Sequence, residues 1–193
     1  GSSQAHYMRG IADKAFTAGL NVVLLNQRNC GNTEHLSKGL YHSGLTDDPE
    51  AVLQELIEVD GISDTAVIGY SLGGNVALKL GGLLAQQSRL AVRAICAVSP
   101  TIDLNLCVQA LEEPRNSIYQ WNFVRNLKRR MRRKIQFFPE QFDSEPLARI
   151  RSVRDFDEEY TAPFHGFRDA DDYYHRSSSL RGIDKISIPT LIV

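Results

Sequence analysis

The stretch with the clearest potential for chemistry is centred on Ser71, which Gly69 and Gly73 flank in a Gly-x-Ser-x-Gly pattern. An apolar run precedes this serine, and an apolar segment rich in small residues follows it. The context predicts a strand, a sharp turn and a helix, with the serine hydroxyl exposed above the end of a sheet. Glycines have no Cβ, so the strand and the helix can approach closely at the turn. We therefore predict that Ser71 is a catalytic nucleophile rather than part of an ordinary turn.

Leu72 follows the serine and is predicted to begin the helix. The first N–H groups of a helix have no intrahelical acceptor, and the helix dipole favours negative charge there. The backbone N–H of Leu72 is therefore expected to form half of an oxyanion hole. Ser71 would attack an ester carbonyl after a histidine takes its proton, and water would hydrolyse the acyl-enzyme. This chemistry requires no metal and no organic cofactor.

A complete triad within these residues is the less favoured alternative. The candidates after Ser71 are two histidines and two aspartates, namely His165, His175, Asp103 and Asp157. Their order and their placement away from strand ends do not suit the serine–acid–histidine order of this kind of enzyme. We expect both histidines, and likewise His42, to be structural.

Composition excludes several other classes of protein. The chain has 193 residues, 42% of them hydrophobic and 23% charged, with a net charge of −1. These values are typical of one globular domain and give no support to a nucleic-acid partner. Three cysteines without a C-x-x-C pair indicate a reducing compartment, and we expect a cytoplasmic location and no metal cluster.

The order of predicted elements indicates an α/β fold. Helices are predicted over residues 4–18, after residue 46 and over residues 72–86, the last weakened at Gly81 and Gly82. Strands are predicted over residues 21–26, 64–70, 91–98 and 188–193. A long polar loop is predicted over residues 27–46, and loops of this length are often functional. Such alternation favours a mostly parallel sheet with helices on both faces.

Residues 101–182 have a different character, because they show helical patterns and no clear strand. One helical stripe contains the basic run Lys128–Lys134. This run could make weak contact with an anionic membrane surface or substrate. We favour a solvated face that nearby acids neutralise in part, namely Asp155, Asp157, Glu158 and Glu159. The aromatic residues of this region are expected to supply apolar walls for an acyl chain, namely Trp121, Phe123, Phe137 and Phe138.

Several motifs together carry a family resemblance. They are Leu40-Tyr-His-Ser-Gly44, Gly69-Tyr-Ser-Leu-Gly-Gly-Asn75, Phe156-Asp-Glu-Glu159, Ala170-Asp-Asp-Tyr-Tyr174 and Pro189-Thr-Leu-Ile192. In this order they resemble the YheT-like, ABHD-type branch of the α/β-hydrolase fold. The resemblance implies an α/β core over residues 1–100, a helical cap insertion over residues 101–182, and a return to the core sheet over residues 183–193.

The resemblance also implies that the chain is an internal fragment, incomplete at both ends. Gly1-Ser2-Ser3 would be the tail of a loop whose earlier part supplies the second oxyanion donor. The catalytic acid and histidine would follow Val193. A strand between those predicted at 21–26 and 64–70 would be missing, so we expect these residues alone to fold poorly.

The function expected from the residues and from the resemblance is that of a serine hydrolase. Its substrates would be small or lipid-like carboxylic esters, which places the protein in lipid metabolism. Two alternatives remain open at this point: an acyltransferase that uses the same Ser71, and a non-catalytic binding protein on the same fold.

Overall fold

A computed structural model describes residues 2–85 and 92–193 of the chain. The longer helices, of at least eight residues each, are α1 (His6–Thr17), α2 (Asp47–Glu58), α3 (Leu72–Leu84), α4 (Leu104–Glu112), α5 (Ser117–Phe137) and α8 (Ala170–Ser177). Two short helices lie between α5 and α8. The short helices are α6 (Val153–Phe156) and α7 (Ala162–Phe164). A single π-helical turn (Asp157–Thr161) joins them, and 3₁₀ turns lie at Pro114–Asn116, Glu145–Ala148 and Ser179–Lys185.

In the described residues, three strands form one parallel sheet: β1 (Thr65–Tyr70), β2 (Val92–Val98) and β3 (Thr190–Ile192). Their order in the sheet is the order in the chain, with Ile68 opposite Cys96 and Cys96 opposite Leu191. The predicted parallel sheet is therefore confirmed. The strand predicted over residues 91–98 is β2, which is described from Val92 onward; Ala91 lies outside the described residues.

The strand predicted over residues 21–26 is wrong. These residues have no strand structure, and Val22 and Val23 are exposed to solvent. A strand exists through hydrogen bonds to a neighbour. Within the described parts of the chain, β1 pairs only with β2, and residues 21–26 form no ladder with its other edge. Residues 21–25 and β1 instead line the same cavity.

The other helix and loop predictions hold with small changes of boundary. The helix predicted over residues 4–18 is α1, and the chain turns after it at Gly19 with a φ of +87°. Residues 27–46 form the predicted long loop. The helix predicted to Gln86 is described to Leu84, and Gln86 itself lies outside the described residues.

The helix α3 continues through Gly81, where the sequence predicts a weakened helix. A Cβ added to Gly81 would lie 2.5 Å from Cδ1 of Ile95, a buried side chain of β2. Glycine costs helix stability in isolation, but here it lets the helix pack directly on the sheet. Tertiary packing therefore outweighs the unfavourable propensity.

The apolar core is divided between the sheet and the region that follows it. The buried side chains of α3, such as Leu78 and Leu80, pack with Ile95 and Ala97 of β2 on one face of the sheet. Ile68 and Leu191 are exposed on the sheet. A second cluster lies among residues 124–160 and includes Met131. Leu40 of the long loop packs into this second cluster, so the loop is held by the later helices.

Among residues 2–85 and 92–193, no helix is both long enough and apolar enough to cross a bilayer.

Candidate active site

Ser71 occupies a strained turn between β1 and α3. Its φ of 51° and ψ of −120° lie in a region that L-residues rarely adopt. The Ser71 N–H donates to the carbonyl of Val98 at 2.9 Å, and the Ser71 carbonyl accepts from the N–H of Gly74 at 2.9 Å. The turn is thus fixed to the end of β2 on one side and to the first turn of α3 on the other. Ser71 is exposed at the end of the sheet.

The glycines around Ser71 have different steric roles. A Cβ added to Gly69 would fall 2.5 Å from the carbonyl carbon of Gly73 and closer still to its oxygen. A Cβ on Gly74 would lie 2.9 Å from Cβ of Pro100, whereas one on Gly73 would meet no heavy atom within 4 Å. The close approach predicted for Gly69 and Gly73 therefore requires glycine at Gly69 and Gly74. Gly73 contributes the carbonyl group that Gly69 must accommodate.

Gly69→Ala is expected to destabilise the protein by a few kcal/mol, about the cost of overpacking against rigid atoms. The atoms that the new methyl group would meet are backbone and cannot rotate away. Urea denaturation of Gly69→Ala and of the wild type measures the change in the free energy of unfolding. Gly73→Ala is the matched control, because it adds the same methyl group in open space and is expected to leave stability equal or slightly higher. Equal stability of both variants would contradict this account.

Leu72 is the first residue of α3. The N–H of a first helical residue has no acceptor within its own helix. It is therefore available to an anion at the turn, next to the Ser71 hydroxyl. The structure thus places Leu72 where the sequence predicts an oxyanion donor, and that role remains a prediction.

The alternative triad is not assembled around Ser71. Among the described residues, no histidine or carboxylate forms a hydrogen bond with the Ser71 hydroxyl, and every contact of the candidates lies elsewhere. Asp103 caps α4 by accepting from the N–H of Leu106 at 3.1 Å. His165 packs against the His42 ring at a centroid distance of 4.4 Å.

Asp157 has its own buried partners. Its carboxylate accepts from the hydroxyl of Thr161 at 2.7 Å and from that of Tyr174 at 2.8 Å. Burial raises the pKa of Asp157 to about 6, although these two hydrogen bonds oppose the shift. The π-helical turn directs this side chain inward, so Asp157 stabilises the packing of α8 rather than orienting a histidine.

His42 is a structural residue of the long loop, as predicted. Its Nδ1 accepts from the N–H of Gly44 at 3.1 Å, and its ring contacts those of His165, Phe167 and Tyr173. Burial, and next the neighbouring His165, lower the pKa of His42 to about 4. The neutral ring is therefore the form that the folded protein favours.

The contribution of His42 to stability is expected to fall as the pH falls. In the unfolded chain a histidine titrates near pH 6.5, so below that pH the unfolded state binds the proton more readily than the folded state. The stabilisation is present above about pH 6.5 and is lost towards about pH 4. Urea denaturation at several pH values, with His42→Asn for comparison, should show the variant losing less stability. His6→Asn is the control, because it makes the same exchange at an exposed residue of α1 and reports how the exchange itself changes the free energy of unfolding.

Ser71 opens into a large cavity of about 960 Å³. Its lining is mostly apolar and comes from α1, residues 19–25, α2 and β1 as well as from α4 and α5, which contribute Leu104, Val108, Leu111, Phe123 and Leu127. Of the four aromatic residues predicted as walls, only Phe123 lines the cavity. Trp121 is 60% exposed beneath the guanidinium of Arg125, and Phe137 packs against His35. Phe138 lies beneath the ammonium group of Lys134.

Half of the basic run on α5 points inward instead of into solvent. Arg133 forms an ion pair with Glu34, whose side chain is only 4% exposed. Lys134 is buried and donates to Asn29 Oδ1 at 2.9 Å and to carbonyl groups of the long loop. Arg130 donates to the hydroxyl of Tyr41 at 3.3 Å. The membrane contact proposed for Lys128–Lys134 stays a prediction, but these three cations face the loop.

The acids predicted to neutralise this run have other partners. Asp155 forms the capping box of α6, Asp157 bonds to Thr161 and Tyr174, Glu158 accepts from the N–H of Ala170, and Glu159 pairs with Arg149. The predicted neutralisation is therefore wrong. It relied on proximity along the chain, whereas the partner of α5 is a loop about 100 residues earlier.

Asn75 is the residue that sequence reasoning missed. It lies one turn after Ser71 in α3 and is fully buried. Its amide donates to the carbonyls of Ser43 and Ser177 at 2.8 Å each, and its Oδ1 accepts from the N–H of Ser179 at 2.8 Å. An amide inside an apolar helix was the available signal, because buried polar groups need partners. Asn75 joins the helix of the serine to the long loop and to the end of α8.

No group of three or more histidine, cysteine, aspartate or glutamate side chains is placed to hold a metal ion in the described parts of the chain. In the described residues, Cys30, Cys96 and Cys107 form no disulfide bond.

Comparison with known proteins gives one family. The model of a family described as the alpha/beta hydrolase family matches residues 1–193. The chain is 34% identical over 196 residues to "Putative esterase YheT" of Escherichia coli (strain K12), with 100% of this chain and 57% of that protein covered. No solved structure matches the chain.

Two further relatives are named for action on lipids. The chain is 26% identical over 192 residues to "Phospholipase ABHD3" of Mus musculus, covering 99% of the chain and 46% of that protein. It is 27% identical over 197 residues to "Monoacylglycerol lipase" of Saccharomyces cerevisiae, covering 98% of the chain and 43% of that protein. The chain thus spans about half the length of these relatives.

Proposed function

The chain belongs to the alpha/beta hydrolase family, and from that premise we propose that it supplies the nucleophile and the acyl-chain walls of an enzyme that hydrolyses carboxylic esters. One observation carries this proposal above the others. Ser71 is held in a strained, exposed turn that lines a large, mostly apolar cavity. The relatives named as an esterase, a phospholipase and a monoacylglycerol lipase support the same class of reaction.

The proposed reaction follows from the groups around the turn. Ser71 Oγ attacks the ester carbonyl carbon, and its proton passes to a histidine that then protonates the leaving alcohol. The N–H of Leu72 donates to the oxyanion that forms, and loss of one such donor typically costs about 3 kcal/mol of transition-state stabilisation. Water then hydrolyses the acyl-enzyme. Since none of the described histidines bonds to Ser71, we propose that the base and its acid come from parts of the whole protein outside these 193 residues.

The apolar walls suggest the substrate class. Leu104, Val108 and Leu111 of α4 and Phe123 and Leu127 of α5 are apolar residues that line the cavity. Burial of a methylene group is worth about 0.8 kcal/mol, so an acyl chain of several carbons would gain substantial affinity there. We propose small or lipid-like esters as substrates.

Covalent labelling tests the proposed function. The whole protein is treated with a fluorophosphonate, which reacts with activated serines, and the labelled peptide is identified by mass spectrometry. The proposal expects a single modification at Ser71. Exposed Ser117 at the start of α5 provides an internal comparison, since an unactivated serine should remain unlabelled. Absence of label at Ser71 in well-folded protein would favour a binding protein on the same fold.

A further inference from the structure

The cavity face of α5 changes character along its length. Phe123 and Leu127 line the cavity in the first half of the helix, and Arg130 and Lys134 line it in the second half. The spacing of four, three and four residues places these side chains along one side of the helix. The same wall is therefore apolar at one end and cationic at the other.

The cationic end has more positive charge than the surrounding carboxylates balance. In the described residues, Lys134 donates to neutral oxygens alone, those of the Asn29 side chain and the loop backbone. Glu34, an acid of the long loop, already forms an ion pair with Arg133. Among residues 2–85 and 92–193, no carboxylate lies within 4 Å of the charged group of Arg130 or of Lys134.

Arg130 in particular has bonding capacity to spare. Its guanidinium has five N–H donors. In the part of the chain that the structure describes, its side-chain bonds are one to the Tyr41 hydroxyl at 3.3 Å and a weak one to Cys30 Sγ at 3.6 Å. A partly buried cation without a counter-charge is energetically costly. A guanidinium binds carboxylate and phosphate groups well, because its paired donors match their oxygens.

The position of Arg130 connects it to the proposed reaction. Both Arg130 and Ser71 line the same cavity. Tyr41, the partner of Arg130, lies two residues before Ser43, whose carbonyl accepts from Asn75 in the first turns of α3. Residues 41–43 of the loop therefore connect the cationic end of the α5 wall to α3, the helix that follows Ser71.

We infer that the Arg130 end of the cavity binds a carboxylate or phosphate group carried by the ester substrate, and that Arg130 determines a preference for anionic over neutral esters. This inference rests on the proposed ester hydrolysis. The apolar half of α5 then contacts the hydrocarbon part of the substrate, and the arginine contacts the charged group.

Two matched substrate pairs test this preference in the whole protein. With the charge on the acyl side, 4-nitrophenyl hydrogen adipate is compared with 4-nitrophenyl methyl adipate. With the charge on the alcohol side, 1-hexanoylglycerol 3-phosphate is compared with 1-hexanoylglycerol. We expect the anionic member of at least one pair to have the higher kcat/KM. Arg130→Gln should reduce that preference about tenfold, mainly through KM, as expected for loss of a charged hydrogen bond. The pair that responds identifies which side of the ester carries the charge.

Control variants separate recognition from simple support of the loop. Arg130→Lys keeps the charge and should keep part of the preference, whereas Arg129→Gln alters an exposed neighbour and should keep all of it. If Arg130 only supports the loop, Arg130→Gln will lower the melting temperature or slow both members of each pair equally. An unchanged preference in both pairs would overturn the inference.

A binding measurement keeps this inference distinct from the proposed function. Titration calorimetry compares hexyl phosphate and hexanoate with uncharged hexanol, in wild type and in Arg130→Gln. If the protein hydrolyses no ester but binds either anion in an Arg130-dependent manner, the anion site stands and the proposed function fails. If Ser71-dependent hydrolysis occurs without any effect of Arg130 on preference or on anion binding, the proposed function stands and the anion site fails.

Discussion

Ser71→Ala is expected to lower kcat for ester hydrolysis in the whole protein by at least about 10⁴-fold, because removal of a triad serine eliminates the covalent route. The strained backbone at this position and the exposure of the serine above the cavity are the structural basis for this expectation. The variant lacks only one oxygen atom on an exposed side chain. Its stability should therefore be close to that of the wild type.

The kinetic measurement uses a soluble 4-nitrophenyl ester and follows release of nitrophenolate. Ser117→Ala removes a hydroxyl from another exposed serine and should leave kcat within about twofold, as is usual for a surface change away from the site. Circular dichroism of each variant establishes that it is folded. A folded Ser71→Ala protein with undiminished activity would refute the assignment of the nucleophile.

Asn75→Leu is expected to have the largest effect on stability. Leucine is similar in size to asparagine but would leave the carbonyls of Ser43 and Ser177 and the N–H of Ser179 without their present partner. An unsatisfied buried polar group costs about 1–3 kcal/mol, so the loss should reach about 3 kcal/mol or more. For a domain of ordinary stability this is a large fraction of the free energy of unfolding.

Urea denaturation of the variant and the wild type measures this change. Asn122→Ala is a suitable control, because Asn122 is an exposed amide of α5 whose side chain accepts one bond, from Asn126. It is expected to change the free energy of unfolding by less than about 0.5 kcal/mol. Equal effects of the two substitutions would show that the buried amide contributes nothing beyond an ordinary surface contact.

The local structure around Ser71 was predictable because its determinants are local. An apolar run of strand type, a glycine on each side of the serine and a small-residue helix are all present within residues 65–84, and β1, the turn and α3 follow from them. The exact steric roles were not predictable. The role of Gly74, for example, depends on Pro100, which approaches Gly74 only in the folded chain.

The errors concern properties that depend on distant neighbours. Residues 21–26 have strand composition, but composition supplies no hydrogen-bonding partner, and β1 is paired on one edge only in the described residues. Periodicity predicted the helix that carries Lys134 but not the loop that covers it. Likewise, sequence proximity suggested acids near residue 155 as partners, whereas Arg133 pairs with Glu34.

The bonds of Asn75 have a consequence for the order of folding. They connect positions 32, 102 and 104 residues apart along the chain. Such long closures are entropically costly and tend to form after local structure. During synthesis the helix that follows the serine emerges well before Ser177 and Ser179. The Asn75 amide therefore remains in contact with water until α8 has formed and packs against α3. As a consequence, the turn that carries Ser71 reaches its final environment late in folding.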